Sequence, residues 1–117
     1  MGILVYGHGV EHRIDDRVLA HLQLVIATKL RRDEPFLLSW HTGTDEGSGR
    51  VSLWMSPAIP LQFVFFGSRQ PQLNRAWLDV LTELAFTPRG LLVISETDAE
   101  AVKSGELAID DAPGMVL

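Results

Sequence analysis

RVSLWMSPAIPLQFVFFG, residues 50–67, holds two alternating apolar runs on either side of Ser56-Pro57-Ala58-Ile59-Pro60. In the first run Val51, Leu53 and Met55 share one face, with Ser52, Trp54 and Ser56 opposite. In the second, Leu61, Phe63 and Phe65 oppose Gln62, Val64 and Phe66. Successive side chains of a strand point to opposite faces, so each run reads as a half-buried strand. Pro57 and Pro60 donate no backbone hydrogen bond, which marks the connection as a turn. The expected arrangement is a hairpin at the centre of a sheet.

Upstream, Phe36, Leu38 and Trp40 alternate with Leu37, Ser39 and His41, one more strand, followed by GTDEGSG (43–49), which reads as an exposed, mobile loop. Downstream, SRQPQLNRAWLDVLTELAF (68–86) has a stripe of Leu73, Trp77, Val80, Leu81, Leu84 and Ala85 at helical spacing, with Pro71 suited to a first turn. Pro88 and Gly90 stop that helix, and Leu91 to Ile94 is a further strand. At the start, Gly2–Gly7 reads as a strand, His8-Gly9 as a turn and Val10–Ile14 as a return strand. Asp15 and Asp16 suit the N-terminus of a helix over Arg17–Arg32, whose apolar arc is Val18, Leu19, Leu22, Val25, Ile26 and Leu30, with His21 at its edge. Asp33-Glu34-Pro35 ends it.

The order β(β)αβββαβ predicts an α+β fold, a two-layer sandwich whose mostly antiparallel sheet carries two amphipathic helices on one face. Residues 1–95 form a single α+β domain on this basis. Residues 96–117 read as an acidic C-terminal tail, with a short helix to about Ser104 from the capping-box spacing Thr97–Glu100, then loosely ordered chain. The other sheet face would set Trp54, Val64 and Phe66 beside Ser39, His41, Ser52 and Gln62, a half-apolar surface suited to a homodimer or a ligand.

The charge is unevenly placed. Residues 1–95 balance nine Lys/Arg against nine Asp/Glu, so the net −5 resides in the tail, where six acids face Lys103 alone. A neutral body disfavours strong nonspecific nucleic-acid binding, which draws on basic excess. No apolar run approaches the roughly 18 residues that span a bilayer, and the N-terminus shows no secretory signal. The absence of cysteine excludes disulfides, thiolate metal sites and a cysteine nucleophile, and a cytoplasmic location is the default expectation.

Enzyme motifs are essentially absent. There is no phosphate loop, no dinucleotide fingerprint and no serine elbow, since Gly47-Ser48-Gly49 lacks the flanking strand-to-helix pattern. His8 and His12, with Glu11, Asp15 and Asp16, and His41 with Asp45 and Glu46, are the weak metal candidates. Along a strand, residues four apart stand about 13 Å apart, too far for one ion, and helix capping accounts for the aspartates. No metal and no cofactor is therefore expected. Trp54, His41, Arg50, Arg69 and Arg75 are the candidate ligand- or partner-binding residues: Trp54 as a stacking surface, the arginines as anion contacts, with Ser68 and Arg69 near a helix start.

The segments MGILVYG, DDRVLAHLQLVIATKLRR, FLLSW, SLWMSPAIPLQFVF and LNRAWLDVL, spread over about Met1 to Glu96, resemble a family of small actinobacterial proteins of unknown function. Members of that family often carry the label "ATP-dependent DNA ligase". Ligase adenylation needs a Lys-x-Asp-Gly nucleophile, and the only lysines here are Lys29 and Lys103, in KLRR and KSGE. The chain is thus expected to be a non-catalytic interaction module, homodimeric and engaging a protein partner rather than a membrane. A nucleic-acid-associated accessory domain is the first alternative, and a metal-dependent hydrolase on His8, His12 and His41 the second.

Overall fold

A computed structural model describes residues 1–44 and 47–117. Among the described residues six strands, β1 (Gly2–Tyr6), β2 (Val10–Ile14), β3 (Phe36–Thr44), β4 (Gly47–Met55), β5 (Leu61–Phe65) and β6 (Leu91–Leu92), accompany three α-helices, α1 (Asp16–Arg31), α2 (Arg75–Ala85) and α3 (Glu96–Ser104). The fold is α+β. The strands form two three-stranded sheets, ordered β2-β1-β5 and β4-β3-β6. The chain divides into two compact units, one of residues 1–35 and 55–73, the other of residues 36–54 and 74–117.

The Ser56–Pro60 connection is not a hairpin turn. β5 pairs antiparallel with β1, Leu4 opposite Phe63, while β4 neighbours β3 in the other sheet. Local alternation identified both strands correctly but carries no information about which strand each would pair with. The half-apolar face expected from that hairpin is divided accordingly: Trp54 belongs to the second unit, Val64 and Phe66 to the first.

In the first unit, β1 and β2 form a hairpin through Gly7 and Gly9, both at positive φ, a conformation glycine adopts without strain. Helix α1 packs on β1 and β5. The Asp15 side chain caps it, accepting from the Arg17 backbone N–H at 3.0 Å. Leu4, Ile14, Leu19, Leu22 and Ile26 are all at most 1% exposed, and each such side chain contributes about 1.5–3 kcal/mol of burial free energy. Two polar residues of α1 are also buried. Lys29 stands 3.9 Å from Glu34. The His21 ring Nδ1 lies 2.7 Å from the Arg17 carbonyl oxygen, an acceptor, which places a proton on Nδ1.

In the second unit α2 packs on β3, β6 and α3. It begins at Arg75, later than the sequence suggested, because Asn74 and not the Pro71 region supplies the cap: its side-chain oxygen accepts from the Trp77 N–H at 3.2 Å. The same amide donates to Glu96 at 2.6 Å and Glu100 at 3.0 Å, tying α2 to α3. Ser95, two residues before Thr97, caps α3 by accepting from Asp98 N–H, and Gly105 at φ 84 closes it. Beyond a 3-10 turn at Ile109–Asp111, Val116 forms a parallel bridge with His41.

Candidate anion-binding groove

Strand alternation builds the floor of the groove. With Phe36, Leu38 and Trp40 buried, Leu37, Ser39 and His41 stand on the opposite face of β3. The hydroxyls of Ser39 and Ser52 meet at 2.8 Å, and Gly49 lies against the Thr42 hydroxyl. These two contacts run in opposite chain directions along β3 and β4, so Arg50 falls opposite His41. Together these side chains floor a groove of about 510 Å³.

Arg89 and Leu92 form one rim, and residues 112–114 form a wall. Gly90 makes the Arg89 position accessible. Its φ of +80° is in the left-handed region, and a Cβ there would stand 2.6 Å from the Leu37 carbonyl oxygen, so only glycine turns the chain here. The wall is fixed from below. His41 N–H donates to the Met115 carbonyl and His41 C=O accepts from Leu117, both at 2.9 Å, while Gly114 packs directly on the His41 ring. With the His41 backbone engaged, its ring is the part presented to the groove.

The groove is cationic. Among the described residues Arg50 has no ion-pair or hydrogen-bond partner, and Arg89 has one contact, Nη1 donating to the Asp110 carbonyl oxygen at 3.3 Å. No carboxylate lines the groove among the described residues. A guanidinium presents a planar fork of donors that matches a carboxylate or phosphate. The serine hydroxyls donate or accept as needed.

The other candidates lie elsewhere. Arg69 lines a separate groove of about 200 Å³ in the first unit, with Gln23, Phe65 and Gln70, six residues before α2 begins rather than at its start. Arg75 is 90% exposed and pairs with Asp79 at 3.5 Å along α2. Trp54 is 53% exposed and follows Arg50 and Ser52 on the same face of β4. His8 is exposed in the β1–β2 turn. His12 stands opposite Leu4 in the hairpin, its pKa pushed below 6.5 by burial. Asp45 and Glu46, weighed with His41, lie outside the described residues. Among the described residues no three His, Asp or Glu side chains stand together as a metal cage would require, and no helix is long and apolar enough to cross a membrane.

Arg89 and the 112–114 wall were not singled out by sequence. In the sequence Arg89 is a lone charge between Pro88 and Gly90, and the wall has no side-chain signature. The serines were legible as the polar face of their strands.

The architecture is that of a small α+β domain bearing an arginine-lined groove on one sheet. Residues 1–96 match the family described as a domain of unknown function, DUF7882, and the chain belongs to that family. No curated protein and no solved structure matches the chain.

Proposed function

We propose that this protein is a non-catalytic binding module whose groove in the second unit holds an anionic ligand. The convergence of Arg50 and Arg89, neither paired with a carboxylate among the described residues, is the observation that supports it. Arg50 and Arg89 would supply the charge, His41 and the Ser39–Ser52 pair the directional hydrogen bonds. Titration of the full chain with inorganic phosphate and with citrate, followed by amide chemical shifts, tests this. Shifts concentrated at Ser39, His41, Arg50, Ser52 and Arg89, and lost in Arg50→Ala and Arg89→Ala, are expected. Shifts absent there, or unchanged in both variants, would sink it.

A nucleic-acid strand is the second candidate ligand, favoured by one observation: exposed Trp54 follows Arg50 and Ser52 along the same strand face. Stacking on an aromatic face combined with cationic backbone contacts is how single strands are held. Anisotropy of labelled single-stranded and nicked duplex DNA at two salt concentrations decides; salt-insensitive or absent binding removes this candidate. A homodimer is the oligomeric state proposed, supported by Leu37 and Trp54 exposed on the same sheet. Sedimentation equilibrium that finds only monomer into the high micromolar range removes it.

A further inference from the structure

Arg50 and Arg89 reach the groove from opposite ends. Ser39 meets Ser52 and Thr42 meets Gly49, which sets Arg50 across from His41. Arg89 enters further back along β3. Its neighbour Gly90 stands against Leu37, where an added Cβ would lie 2.6 Å from the Leu37 carbonyl oxygen, and β6 then pairs with Leu38 and Ser39. Leu37 and His41 are four positions apart on one strand, so the two arginines join the groove at stations about 13 Å apart.

Between those stations the lining loses its charge. Leu37, Leu92 and Pro113 are apolar, and the Ser39 and Ser52 hydroxyls engage each other at 2.8 Å. The middle therefore suits a hydrocarbon body, and each end suits an anion. Arg89 keeps donors for one, since Nη1 alone is committed, to the Asp110 carbonyl oxygen. The volume points the same way. A groove of about 510 Å³ is far larger than an inorganic anion fills, and it falls within the roughly 300–1,000 Å³ of sites for organic ligands.

A single exposed guanidinium–carboxylate pair holds a ligand weakly. A molecule that carries an anion at each end makes its second contact intramolecularly, provided its body spans the gap; one too short gains nothing from its second charge.

We propose that the groove takes an elongated organic dianion, a long-chain dicarboxylate. One carboxylate sits on Arg50 and His41, the other on Arg89, and the apolar body lies along Leu92 and the Ser39–Ser52 pair. This rests on the anion-binding reading of the same groove, to which it adds a ligand class and a length.

The full chain is titrated with suberate, succinate and monomethyl suberate, with amide chemical shifts as the readout. Succinate has both charges on a short body, whereas the monoester keeps the long body and gives up one charge. Suberate is expected to bind about tenfold or more tightly than either. In Arg50→Ala, and separately in Arg89→Ala, suberate and its monoester are expected to bind alike, because only one end still holds a carboxylate. Suberate no tighter than succinate or the monoester, or a suberate advantage that survives either substitution, overturns the proposal. If phosphate still shifts the Arg50 and Arg89 amides in that case, the groove stands as an anion site and only the spanning ligand falls. If neither phosphate nor any of the three acids shifts the groove amides, the anion-binding reading has failed and the spanning ligand falls with it.

Discussion

The carboxylate of Asp16 receives the backbone N–H of Gly67 at 2.9 Å, joining the first turn of α1 to the chain leaving β5, 51 residues away. Phe66 N–H approaches the other oxygen at 3.4 Å and the N-terminal amine lies 3.7 Å from it. The Gly67 N–H, above all, then Phe66 N–H and the amine, hold the Asp16 pKa below 3.8 against an opposing push from burial. A carboxylate whose folded pKa is depressed stabilises above its unfolded value and loses that contribution as pH falls through the folded one. Asp16→Asn should therefore lower the melting temperature at pH 7 and flatten its fall below pH 4. Parallel acid titrations of the two proteins check this.

His12 gives the opposite ionic case in the same unit. Burial lowers its pKa below 6.5, so the folded chain binds fewer protons there than the unfolded one. Stability linked to His12 is complete above pH 6.5 and declines as pH falls through its folded pKa. Imidazole proton shifts should place its midpoint below 6.5, and His12→Gln should remove that part of the pH dependence. A midpoint at or above 6.5 contradicts the expectation.

Two glycines with positive φ should respond differently to alanine. Gly90→Ala adds backbone strain to a collision with the Leu37 carbonyl, and should cost about 1–3 kcal/mol or more. Gly7, at φ 65, has open space around its missing Cβ and should cost only the strain, about 1 kcal/mol. Urea unfolding of both variants measures the difference. Gly90→Ala should in addition disturb anion binding, because that turn sets Arg89 at the groove.

Trp77 is 1% exposed and its ring N–H donates to the Ile94 carbonyl at 3.0 Å. Trp77→Phe keeps most of the packing but strands a buried acceptor, for an expected loss of about 1–3 kcal/mol. Trp77→Ala adds a cavity and should cost about 3–5 kcal/mol. A loss from Trp77→Phe near zero would mean that water replaces the lost donor.

Strand identity and helix identity were legible wherever side chains alternate or repeat. Phe36, Leu38 and Trp40 announced the buried face of β3, and Val18, Leu22, Val25 and Ile26 that of α1. Pairing was not, because the partner of a strand is chosen by distant chain: β5 reads like the return arm of β4, yet its register is with β1. The groove was half legible for the same reason. His41 and Arg50 lie on polar strand faces that periodicity exposes. Arg89 arrives through the turn at Gly90, and the wall through backbone hydrogen bonds at His41, which leave no trace in residue type.

Each compact unit is built from two separated lengths of chain, interleaved so that the first closes only with residues up to 73 and the second only with residues beyond 74. On a ribosome the N-terminal hairpin and α1 therefore emerge long before β5 arrives to flank β1. β3 and β4 must likewise wait for β6 and for residues 115–117 at His41. Neither unit can therefore be obtained by cutting the chain once.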